Sequence, residues 1–75
     1  MSFLEGEVKW FSNDRGYGFV HPIIEGDVVD ETVEYFVHFS SVNMDGFKTL
    51  VAKQRVTFEL KDTDKGTQAV EVTPL

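Results

Sequence analysis

Ten of the 75 side chains are aromatic, and seven of them fall between Trp10 and Phe39: Trp10, Phe11, Tyr17, Phe19, Tyr35, Phe36 and Phe39. In an extended chain, alternate side chains share a face. Within Arg15-Gly16-Tyr17-Gly18-Phe19-Val20, Tyr17 and Phe19 point one way and Gly18 and Val20 the other. Within Tyr35-Phe36-Val37-His38-Phe39, Phe36 and His38 oppose Tyr35, Val37 and Phe39. A glycine and a valine suit the inside of a narrow barrel, which leaves Tyr17 and Phe19 outside. Solvent-facing rings cost solubility and need a reason. Stacking on unpaired nucleobases supplies one, because every base has a π-face and each contact is worth about 1–3 kcal/mol. One aromatic in a small β-domain is ordinarily core. Tyr17, Phe19, Phe36 and His38, alternating with small or aliphatic residues on two strands, read instead as an exposed set.

The elements that must carry these rings are strands. No window keeps an apolar stripe at helical spacing, whereas short Val/Phe/Tyr/Thr-rich runs are broken by Gly/Asp/Asn clusters. The pattern predicts five strands: Phe3–Ser12, Tyr17–Ile24, Val33–Phe39, Arg55–Asp62 and Gln68–Thr73. Asn13-Asp14-Arg15-Gly16 and Asp62-Thr63-Asp64-Lys65-Gly66 are turn sequences. Five antiparallel strands with one long link, Ser40 to Gln54, predict a closed or nearly closed all-β barrel. The connection from Ile23 to Thr32 is expected to extend as a hairpin arm, since a structureless loop of that size is unusual in a small domain. Val8 and Trp10 have the same parity, yet one should be core and the other exposed. A β-bulge near Lys9 would reconcile them.

Length fits one domain, spanning residues 1–75. There is no cysteine, so neither disulfides nor thiolate metal sites are available. No secretory signal pattern opens the chain, and its apolar runs are too short to span a bilayer, so a cytoplasmic protein with no membrane partner is expected. The net charge of −6 is awkward for a nucleic-acid binder. Its distribution matters more than its sum. No Lys or Arg lies between Gly16 and Phe47, while Glu25, Asp27, Asp30, Glu31, Glu34 and Asp45 are acidic; the remaining seven acids face seven bases. The excess therefore sits mostly in the 23–34 connection. Near a phosphate path it would repel; at a distal tip it would chiefly favour solubility.

Arg15-Gly16-Tyr17-Gly18-Phe19-Val20 matches the first six positions of the RNP1 signature, and Pro22 departs at the last. Domains of the RNA-recognition-motif type carry that signature with two helices, and no helix is visible here. Together with Val8-Lys9-Trp10-Phe11, Phe36-Val37-His38-Phe39-Ser40, Asp45-Gly46-Phe47-Lys48-Thr49-Leu50 and Gly66…Gln68-Ala69-Val70, the chain resembles the bacterial cold-shock protein family along nearly its whole length. The resemblance implies a five-stranded antiparallel OB-fold barrel. It also implies binding of single-stranded RNA or DNA with a pyrimidine preference, and RNA-chaperone action on transcription or translation under cold or other stress. Carried onto this sequence, Trp10, Tyr17, Phe19, Phe36, His38, Phe39 and Phe47 are the implied stacking platforms. Lys9 and Arg15 are the implied backbone cations, with Ser12 and Asp14 at the rim. Parity sets Phe39 off the main face, where a partly buried role is equally compatible. The resemblance implies no cofactor or metal, and a monomer. Three departures stand out: a longer and far more acidic link between the second and third strands than is usual in the family, Lys53 where the family commonly has glycine, and Thr67 where proline is frequent.

Two rival classes compete with this reading. His21 and His38 with nearby carboxylates could be drawn as an acid–base ribonuclease, but neither a nucleophile nor metal-ligand spacing accompanies them. His21 is expected to be an ordinary exposed histidine. An acidic OB-fold module that recognises a basic protein is the alternative reading, since exposed aromatics also form interface hot spots.

Overall fold

Strand β1, Leu4–Ser12, leads through a tight turn into β2, Tyr17–Ile24, and the two run antiparallel from Gly6↔Pro22 to Ser12↔Tyr17. A two-residue strand, β3 (Val28–Val29), folds back on Ile23 and Ile24. Next come β4, Tyr35–His38, a single 3₁₀ turn over Phe39–Ser41, and the long link to β5, Arg55–Thr63, and β6, Gly66–Pro74. This computed structural model describes residues 3–46 and 49–75.

Five of these strands close a ring. β1 pairs with β2 and β5, β5 with β6, β2 with β4, and β4 meets β6 through Phe36↔Gln68. The last contact is parallel, as is the nearby Val42↔Val72 bridge, so the expected all-antiparallel barrel is corrected at one seam. The reason is topological. Neighbours that alternate in direction cannot close a ring of odd number without one like-directed pair. The architecture is otherwise the all-β OB-fold barrel anticipated above. β3 lies outside the ring and forms the hairpin arm expected between Ile23 and Thr32, with Gly26 and Asp27 at positive φ at its tip.

Inward-facing residues of every ring strand build the core: Val8, Val20, Val37, Val56, Phe58, Ala69 and Val72, with Val42 and Leu50 from the long link. Phe11, Tyr35 and Met44 pack against it from the side. β4 is shorter than the expected Val33–Phe39. Val33 and Glu34 precede it, and Phe39 already belongs to the 3₁₀ turn.

The outer face is set where β2 meets β1. The pairing register slips between Val8 and Trp10, which is the bulge expected near Lys9. It leaves Val8 buried and turns Trp10 out, 36% exposed. Opposite the bulge, a Cβ on Gly18 would sit 2.2 Å from the Trp10 carbonyl oxygen and 2.7 Å from the Phe11 Cα. Both obstacles are backbone and cannot swing away. Only glycine allows this approach.

Lys53 is the second backbone constraint. It takes φ +75°, the left-handed region, while its N–H donates to the Val8 carbonyl at 2.7 Å. The resemblance expects glycine at this position, and the geometry explains why.

Two outcomes follow. Gly18→Ala should lower stability by at least about 1–3 kcal/mol, the usual cost of overpacking. It would be read as a lower denaturant midpoint at constant m, and an unchanged midpoint would contradict the close approach. Lys53→Gly should relieve about 1–2 kcal/mol of left-handed strain against about 0.4–1 kcal/mol of added unfolded-chain entropy. The melting temperature should rise by a few degrees; a fall would contradict the strain.

Candidate functional site

Four outward side chains form one connected cluster across β1, β2 and β4. The Trp10 ring lies 5.8 Å from Tyr17 and 5.3 Å from Phe19, centroid to centroid. Phe36 in turn lies 5.4 Å from Tyr17, nearly parallel to it, and 5.8 Å from Phe19, edge to face. These spacings are those of favourable aromatic pairs. The rings therefore support one another, and Tyr17, Phe19 and Phe36 are half-buried rather than free in solvent as parity alone suggests. One face of the cluster stays open. Tyr35, of the opposite parity, turns in and meets Phe58 at 6.0 Å.

His38 and Phe39 continue this surface. His38 is exposed and pairs across from Tyr17. Its Nδ1 accepts from the Ser40 N–H at 3.3 Å and from the Ser40 hydroxyl at 2.8 Å, capping the 3₁₀ turn. The neutral ring then carries its proton on Nε2, assigned from these bonds. Phe39 is 47% exposed, its ring 4.6 Å from His38 and seated against Gly16. The alternation that set it off the main face fails because the strand has already ended at His38. Its N–H is tied to the Gly16 carbonyl at 2.8 Å.

The predicted polar residues divide. Arg15, in the β1–β2 turn, is exposed and makes no ion pair among the described residues; its guanidinium approaches the Tyr17 hydroxyl only at 3.5 Å. Ser12 is occupied locally, its hydroxyl accepting from the Arg15 N–H at 3.2 Å. Asp14 is exposed beside Arg15 along a shared groove with Phe11 and Phe39. Lys9 is paired with Glu34. Phe47 falls outside the described residues.

The acidic connection is thus both near and far. Its tip lies at the end of β2 remote from Tyr17, where Asp27 meets Arg55 at 2.9 Å and Glu7 approaches the same guanidinium at 3.7 Å. The hydrogen bond to Asp27 holds the Arg55 guanidinium above its ordinary value. Thr32 donates to Asp30 through hydroxyl and backbone, which draws that carboxyl below the usual aspartate value. At the other end Glu34 reaches Lys9, beside Trp10. His21 is buried, correcting the expectation of an exposed histidine: the returning segment covers it, and its Nδ1–H donates to the Val33 carbonyl at 2.8 Å. His21 and His38 are separated by four residues' length of β2, about 13 Å. They cannot act on one bond together.

Sequence reasoning missed three neighbours of the rings, Gln68, Lys65 and Thr67. Gln68 pairs directly with Phe36 across the parallel seam, and with Lys65 and Thr67 it lines a groove beside Phe36 and His38. Gly66…Gln68 is part of the family resemblance, but only the closure of the ring brings Gln68 beside Phe36. Among the described residues no group of three or more His, Asp or Glu is arranged to hold a metal ion. Among the described residues no helix is long and apolar enough to cross a membrane.

The model of the 'Cold-shock' DNA-binding domain family matches residues 4–75. Among curated relatives, the chain is 43% identical to the Cold shock-like protein CspC of Escherichia coli strain K12 over all 75 residues, the full length of both chains. It is 46% identical to the Major cold shock protein CspA of Bacillus cereus over 72 residues, 96% of this chain and 97% of that one. With Cold shock protein 1 of Lactiplantibacillus plantarum it shares 48% identity over 69 residues, 92% of this chain and 94% of the relative. Neither the family nor any of these names denotes a catalytic class.

The hydrogen bond from Lys9 holds the Glu34 carboxyl below the ordinary glutamate value. Such a group favours the fold above its unfolded value, and that contribution is lost as pH falls through the lowered one. In Lys9→Met the Glu34 titration, followed by NMR, should move upward towards the ordinary range. No movement would show that the pair does not persist in solution.

Proposed function

The chain belongs to the 'Cold-shock' DNA-binding domain family, and on that premise we propose that it binds single-stranded RNA or DNA by stacking bases on Trp10, Tyr17, Phe19 and Phe36. His38 and Phe39 extend this surface, the family resemblance adds Phe47 as a further platform, and Arg15, Lys9 and Ser12 meet the sugar–phosphate backbone at its edge. The observation that carries the reading is the connected, outward-facing ring cluster on β1, β2 and β4. Rings that already brace one another lose little freedom when a base lands on them, and each stacked base is worth about 1–3 kcal/mol.

The mechanism needs no cofactor. Bases held on side chains cannot pair with one another, so binding draws folded RNA towards the open form by the difference in affinity for the two. This is RNA-chaperone action, with consequences for transcription or translation under cold or other stress. Pyrimidine-rich segments are favoured, as the family resemblance implies. The protein works as a cytoplasmic monomer, without catalysis of its own.

Arg15 and Lys65 supply positive charge beside the rings, whereas Arg55 is engaged by Asp27 and Glu7 at the other end of β1 and β2. Charge therefore assists stacking rather than replacing it.

Trp10 is the only tryptophan and reports from within the cluster. Pyrimidine oligonucleotides should quench its fluorescence on binding. Phe36→Ala should weaken that binding by about 1–3 kcal/mol while the barrel stays folded by circular dichroism. Absence of both quenching and binding by an independent method would contradict the proposal. Tight binding of a basic protein in its place would favour an acidic protein-interaction module.

A further inference from the structure

Directly opposed residues on neighbouring strands share a face. The pairs Trp10↔Phe19, Phe19↔Phe36, Phe36↔Gln68 and Gln68↔Lys61 therefore make one row running from β1 through β2, β4 and β6 to β5. At about 4.8 Å per strand, the row is about 19 Å long, and Lys61 lies about 10 Å beyond Phe36. Its first three positions carry the rings discussed above. Its last two carry an amide and an ammonium.

Lys61 is exposed and has no ion-pair partner among the described residues. With Ser40, Ser41, Asn43 and Glu71 it lines a groove of about 490 Å³. Ser40 and Ser41 also line the groove that holds Phe36, His38 and Gln68, so the 3₁₀ turn is a shared wall between the two. A nucleic-acid chain passing His38 meets this wall next.

We propose that a single strand long enough to outrun the rings continues along this row and sets one backbone phosphate against the Lys61 ammonium. The Ser40 and Ser41 hydroxyls and the Asn43 amide offer hydrogen bonds to phosphate and sugar oxygens. A lysine suits the task because its ammonium is a compact point charge that imposes no fixed geometry on the oxygens it meets. Glu71 faces the same groove and repels a second phosphate, which ends the path there. The contact is independent of base identity and depends on length. It deepens the stacking reading and rests on it.

The test uses Trp10 fluorescence with oligothymidylates of about four and about ten nucleotides, spanning the lower range of site sizes for such barrels. Lys61→Ala should weaken the longer ligand about two- to fivefold, the scale of one exposed charge contact. The log–log salt slope of the longer ligand should shrink by about 0.7. The short ligand should bind unchanged, and Lys61→Arg should restore the longer one. Equal affinity of parent and Lys61→Ala for the longer ligand, or an equal loss on both lengths, would overturn this extension alone. Failure of either length to quench the unmodified protein would overturn the stacking reading and the extension with it.

Discussion

The outer surface depends on how closely β2 can approach β1 at Gly18. A side chain there would collide with the Trp10 carbonyl and the Phe11 backbone, neither of which can yield. The same few residues contain the bulge that separates Val8, sealed in the core, from Trp10, turned outward. Without the slip, Trp10 would face inward with Val8 and the cluster would lose its edge. Without the glycine, Tyr17 and Phe19 could not lie within ring-contact distance of that indole. One backbone contact therefore fixes both which rings are outside and how far apart they stand.

Charge is arranged around this surface in a graded way. One acid of the 23–34 connection, Asp27, meets Arg55 at the far end of the barrel, where Glu7 of β1 approaches the same guanidinium. The arm that carries Asp27 extends from the end of β2 remote from Tyr17. Glu34, by contrast, holds Lys9 next to Trp10. A phosphate approaching from that side must share Lys9 with a carboxylate, whereas one approaching by Arg15 or Lys61 meets a cation with no ion-pair partner among the described residues. Free positive charge thus lies at the β1–β2 turn and on β5 rather than beside Trp10.

Much of this was legible in the residues. Strand β2 was predicted at its observed bounds because Gly16 and the acidic turn after Ile24 punctuate a clean alternation. The bulge at Lys9 followed from the conflict between Val8 and Trp10, and the arm from apolar residues flanking Glu25-Gly26-Asp27. What escaped was whatever depends on long-range closure. The parallel seam arises from an odd ring, and only that seam brings Gln68 beside Phe36. His21 shares the outward parity of Phe19, yet the returning Val33 segment covers it, which no local pattern reveals. Alternation alone leaves the side of Phe39 open, because β4 ends at His38 and Phe39 already belongs to the 3₁₀ turn.

Stacking on the rings can be observed directly by NMR, through cross-relaxation between the base protons of a bound oligothymidylate and the ring protons of Trp10, Phe19 and Phe36. Bases lying face to face on these rings should show such contacts together with upfield ring-current shifts of their own protons. Bound bases with unshifted resonances, touching only lysine and arginine side chains, would mean that charge holds the nucleic acid and that the outward rings serve some other purpose.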